Sequence, residues 1–163
     1  MRAGSAPGPA RQAGFTYLWL LAMLAVVAIG MAVVGPMWAR QAQREREAEL
    51  LRVGVAYATA IEHYYRMPAG GTRQLPRSVG DLLLDPRFPA PVRHLRAAYT
   101  DPLQPGLALE LVQTPSGEIR GVASTSPDTP LRQTAWTDGR HSLPAANPAT
   151  RYRDWQFLAD LSS

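Results

Sequence analysis

Between Arg11 and Arg40 the chain carries no charged side chain over residues 12–39, and the part from 15 to 38 is nearly all apolar. A stretch of that length reads as one helix. About 20 apolar residues suffice to span a bilayer as a helix, and inside hydrocarbon a lone segment can satisfy its backbone polar groups only within itself. The expectation is therefore a membrane-spanning helix. Gly30, Gly35 and Pro36 are its weak points, with Pro36 the predicted kink because its ring removes an amide donor. An ordinary secretory signal has a shorter apolar core and a cleavage site after it. Here the apolar run instead continues into an amphipathic helix, so retention is expected.

Removing this segment leaves roughly 120 residues, enough for one core and too few for two independent domains. The expected organisation is a leader over residues 1–14, a transmembrane or assembly helix over 15–39, and one folded domain over 40–163. All 17 basic residues are Arg, the formal net charge is +4, and no cysteine is present. Those arginines are scattered and often sit beside acids, as in Arg44, Glu45, Arg46 and Glu47, so no basic face forms and no nucleic-acid partner is expected. The missing cysteines exclude disulfides, thiolate metal sites and thiol nucleophiles. Basic residues flanking the apolar run (Arg40, Arg44, Arg46 and Arg52 after it, Arg2 and Arg11 before it) mildly oppose a topology with the folded domain outside.

Beyond the apolar run, Ala48, Leu51, Val55, Ala58, Ile61 and Tyr65 recur at spacings of three and four and predict a helix face that packs on a sheet. Charged residues on the same helix, including Glu47, Glu49 and Arg52, read as a solvated face with Arg–Glu pairs at a spacing of three. Pro68, Gly70 and Gly71 end it. Ser78 to Asp81 has the form of a capping box before Leu82, and Pro91 suits the first position of a second short helix over 92–99. Residues 107–113 and 119–125 flank Pro115, Ser116 and Gly117 and predict a hairpin. Residues 126–150 read as a long surface loop, and 155–159 as an edge strand. The fold class is α+β: a long N-terminal helix, half membrane-spanning and half amphipathic, laid on a small antiparallel sheet.

The junction Arg11, Gln12, Ala13, Gly14, Phe15, Thr16 sets a basic residue and then Gly-Phe-Thr ahead of the apolar run. It resembles the prepilin cleavage motif of the type IV pilin and type II secretion pseudopilin family. Pro36 stands where that family's N-terminal helix often carries a proline. Residues 44–51 with Tyr57, Ile61, Tyr64 and Tyr65 look like the exposed half of the long pilin helix, and residues 75–83 and 99–103 look like segments of major pseudopilins of the G type. The resemblance implies cleavage by a prepilin peptidase between Gly14 and Phe15, N-methylation of Phe15, and assembly with other pseudopilins on an inner-membrane platform. It also implies a single-pass bacterial inner-membrane protein whose C-terminal domain is periplasmic and serves protein secretion as a structural subunit. At the fifth position from Phe15 the family usually has glutamate, which favours methylation and pairs with a neighbour's amino terminus. This chain has Trp19, a departure shared with some minor, tip-type pseudopilins. Alternatives are a minor pilin of a type IV pilus and a plain membrane-anchored periplasmic binding domain.

Chemistry-bearing motifs are sparse. His63, His94 and His141 stand in no H-x-x-x-H or H-E-x-x-H pattern, and phosphate loops, nucleophile elbows and S-x-x-K pairs are missing. No enzyme is expected, and no cofactor. Calcium is the one metal considered, through Asp128, Asp138, Asp154 and Asp160, although they lack the spacing of a calcium loop.

Overall fold

The computed structural model describes residues 13–147 and 149–162, with the side chains of 13, 14 and 32–37 left out. Helix α1 runs over Ala13–Arg66 and α2 over Val79–Leu83. Strands follow at Glu110–Gln113 (β1), Ile119–Ala123 (β2), Trp136–Thr137 (β3), Ser142–Leu143 (β4) and Gln156–Leu158 (β5), with a 3-10 turn at Tyr152–Asp154 before β5. The chain divides into two compact units at Ala42/Gln43. The first consists of the leading part of α1, and the second holds the rest of α1 with everything after it.

The α+β architecture with a small antiparallel sheet stands, and its membrane-spanning half does not. Among the described residues, no helix is long and apolar enough to cross a membrane. This overturns the expected transmembrane segment, and with it the single-pass inner-membrane placement with a periplasmic domain.

In the second unit the sheet has the order β1-β2-β5, antiparallel throughout, and β3 pairs with β4 in a separate two-stranded hairpin. Leu50, Tyr57 and Ile61 of α1 pack with Ile119 and Val122 of β2 and Phe157 of β5 in a core that Leu82, Leu95, Tyr152 and Trp155 complete. The buried helix face is centred about one residue from the expected one. Of the expected face Leu51, Ala58 and Ile61 are buried, Val55 and Tyr65 are only partly covered and Ala48 is exposed, whereas Glu47, Leu50, Tyr57, Glu62 and Tyr64 are buried beside it. Contact is closest at Gly54, where an added Cβ would lie 2.3 Å from the Phe157 ring. Only glycine lets helix and β5 come this near.

α2 begins with the expected capping box. Ser78 Oγ accepts from the Asp81 amide at 3.2 Å, and the Asp81 carboxylate accepts from the Ser78 amide at 3.1 Å. The second short helix, expected over 92–99, does not form. The amides of His94 and Leu95 instead donate to the Leu82 carbonyl at 2.9 and 2.8 Å, and Val92 accepts from the Asp85 amide at 2.9 Å. Carbonyls at a helix C-terminus lack partners within the helix. Supplying them with amides from 94 and 95 holds that segment against α2, where residues 94–97 form a bend and not a helix.

The β1–β2 hairpin turns at Gly117, whose φ of +82° is the left-handed conformation a side chain disfavours. Asp101 is buried before it. Its carboxylate accepts from Ser124 Oγ and the Thr125 amide, both at 2.7 Å, and from the Leu103 amide at 2.9 Å, fastening the 99–103 segment to the end of β2. β5 is an edge strand, as expected. Residues 126–150 are more ordered than a surface loop, since they contain the β3–β4 hairpin.

Candidate functional site

Every residue from 15 to 31 is exposed, and none is charged. Phe15, Tyr17, Leu18, Leu20 and Met23 are 76, 62, 65, 55 and 55% exposed, and their positions run right round the helix. A helix apolar on all sides is stable in water only when something covers it, because a contiguous apolar surface of this kind drives association. The predicted processing residues lie at its start. Gly14 and Phe15 lie in α1 among the first residues that are described. Leader residues 1–12 lie outside the described residues. Pro36 is within α1, and the helix continues through it.

Within the second unit, two buried carboxylates of α1 hold later parts of the chain. Glu47 accepts from the amides of Leu131 and Arg132, both at 3.1 Å, and from the Tyr152 hydroxyl at 3.0 Å. Burial pushes the Tyr152 phenol up to about 12, and the adjoining Glu47 charge adds to the shift. A groove of about 360 Å³ lies alongside, lined by Arg44, Glu47, Leu51, Leu131, Arg132 and Thr134. The Glu47 oxygens are committed to holding backbone, which leaves little of this acid free for proton transfer. Four turns on, Glu62 accepts from the Asp160 amide at 2.9 Å and meets His141 Nε2 at 2.8 Å.

Searches against protein-family models, curated proteins and solved structures find no match. The likeness to pseudopilins therefore rests on the chain's own residues, chiefly Gly14, Phe15 and the helix they open.

Another buried acid, Asp85, carries Arg87 and His94. The Arg87 guanidinium lies 2.6 Å from Asp85 Oδ2 and 3.5 Å from the centre of the Tyr64 ring, and His94 Nε2 lies 3.0 Å from the same oxygen. Burial works to raise the Asp85 pKa, but hydrogen bonds from Arg87 and His94 and the arginine charge hold it down at about 2. The four aspartates considered for calcium each accept a hydrogen bond from a nearby residue. Asp128 accepts from Ser126, Asp138 from His141, Asp154 from Arg151 and Asp160 from Ser162. Among the described residues, no group of three or more acidic, histidine or cysteine side chains is placed to hold a metal ion.

The buried roles of Glu47, Glu62 and His141 escape a reading of the sequence that assigns the charges to a solvated face. One signal was present. Leu50, Tyr57 and Tyr64 repeat every seven residues, and a stripe centred on them places Glu47 on the covered side, one turn before Leu50.

Proposed function

We propose that the chain is a structural subunit of a pilin-like filament, of the type II secretion pseudopilus kind, built by packing the apolar parts of α1 from several copies at the filament centre. The observation that supports this reading is the exposure of residues 15–31 on every side of α1. Burying a side chain such as Leu18 or Leu24 against like helices contributes roughly 1.5–3 kcal/mol. An isolated subunit leaves that energy unused. In this reading a prepilin peptidase cuts between Gly14 and Phe15, and the new amine of Phe15 is methylated. Other pseudopilins and an assembly platform are the partners, and the folded unit from Gln43 onward forms the filament's outer surface. Trp19 stands where the family's acid would be, which fits a minor subunit better than the repeating one.

N-terminal sequencing of the protein from its native cells tests the proposal. The expected first residue is Phe15, with a methyl group on its nitrogen. A native chain that begins at Met1 has not been processed, and the filament reading fails with it.

A further inference from the structure

The β3–β4 hairpin forms a sheet of its own; it contributes Leu143 to the core, and one imidazole beside β4 bonds to the helix. His141, 6% exposed, stands just before β4. Its Nε2 lies 2.8 Å from Glu62 Oε1 on α1, and its Nδ1 lies 3.1 Å from Asp138 Oδ2 in the hairpin turn. Both facing atoms are carboxylate oxygens, which only accept while ionised, and a neutral imidazole has one N–H. Two such bonds at once require the imidazolium. A neutral ring turns one of the two contacts into a lone pair facing a negative oxygen.

The surroundings reinforce this. Glu62 is 1% exposed and also faces Arg66 Nη1 at 3.6 Å and the Asp160 amide. Asp138 accepts from the amides of Arg140 and His141 at 2.9 and 2.6 Å. The charged groups around the ring are thus Glu62 and Arg66 from α1, Asp138 and Arg140 from the hairpin turn, and Asp160 from the segment after β5. We propose that His141 is a pH-operated latch: as imidazolium it fastens the β3–β4 hairpin to α1 through Glu62, and on losing its proton it loosens the hairpin.

The direction of titration agrees. Burial opposes the charge on His141, yet hydrogen bonds to Asp138 and Glu62, with their negative charges, outweigh it and raise the pKa above the ordinary value of 6.5. For Asp138, the bond from the His141 amide leads in lowering its carboxyl to about 2, against burial and with help from the Arg140 amide and the His141 ring. A histidine raised on folding stabilises fully below its unfolded pKa, and the gain is lost as pH rises through the folded value. The Asp138 contribution is present above about 3.8 and is lost as pH falls toward 2. The latch is therefore closed in mildly acidic solution and opens on the alkaline side.

Two measurements on the full-length chain test it: the ring-nitrogen resonances of His141 against pH, and amide hydrogen exchange corrected for its intrinsic pH dependence. Both ring nitrogens should be protonated at pH 6.5. Protection over residues 136–143 should fall about tenfold or more with the midpoint of that titration, while β1–β2 amides hold theirs. Glu62→Gln gives the imidazole a neutral partner that can donate to it, and should lower the His141 midpoint by about one unit or more. If that variant fails to fold, Asp138→Asn, which keeps the oxygen that caps the turn, should move the midpoint the same way. A His141 that titrates at or below 6.5, hairpin protection that stays flat through its titration, or a midpoint moved by neither variant would each overturn the latch.

Discussion

Glu47 sits on a helix face that otherwise buries Leu50, Tyr57 and Ile61, and it is kept there by what it accepts. Two backbone amides and a phenol converge on one carboxylate, and removing the acceptor strands the buried Tyr152 hydroxyl, while the amides of the exposed Leu131 and Arg132 face the groove. An unpartnered buried donor costs about 1–3 kcal/mol. Glu47→Ala should therefore destabilise the fold by about 1–3 kcal/mol, visible as a lower midpoint in chemical denaturation of the full chain. Glu47→Gln should cost less, because its single carbonyl still serves part of the set. If Glu47→Ala left the midpoint unchanged, the anchoring role would be wrong. No local pattern discloses this role. The partners Leu131, Arg132 and Tyr152 lie 84, 85 and 105 residues away, and charge–charge spacing along a helix carries no information about a loop that returns from that distance. Glu49, by contrast, pairs with Arg52 three residues on, at 2.8 Å, as the spacing suggests.

Elements were legible where their determinants are local. The capping box of α2 lies within four residues, and the β1–β2 hairpin is specified by two β-leaning runs around a glycine turn. Both form where the sequence places them. The absent helix over 92–99 is the converse case: Pro91 suits a helix start, but the Leu82 carbonyl offers the amides of 94 and 95 an acceptor that belongs to another element. β3 and β4, two residues each, are too short to show alternation at all. The depth of helix–sheet contact was equally hidden, since Gly54 inside a helix pattern reads as a weakness until Phe157 is seen against it. Gly54→Ala adds a methyl group into a fully buried ring, and overpacking of this kind costs about 1–3 kcal/mol even though alanine favours the helix by nearly 1 kcal/mol. The variant should be less stable than the parent. Pairing it with Phe157→Leu should recover part of the loss, and a stability gain from Gly54→Ala alone would show that α1 and β5 do not meet as described.

At the scale of the whole molecule the two units divide the work: Gln43–Ser163 has a core of its own, while residues 15–31 of α1 are uncharged and exposed. That division makes a sharp separation of effects possible. Leu24 is 57% exposed, so replacing it with Glu breaks no contact within the chain, and substitutions at such positions usually change stability by no more than about 0.5 kcal/mol. Inside a helix bundle the same carboxylate would be buried without a partner, at a cost of several kcal/mol. Leu24→Glu should therefore abolish self-association in sedimentation velocity while leaving the thermal midpoint of the folded unit in place. Persistent association at an unchanged midpoint would mean that copies meet through some other surface, and the apolar helix would lose its role as filament core. Loss of both together would mean that the helix covers itself on its own folded unit, and that the exposure on which the proposed function rests is not how the chain exists in solution.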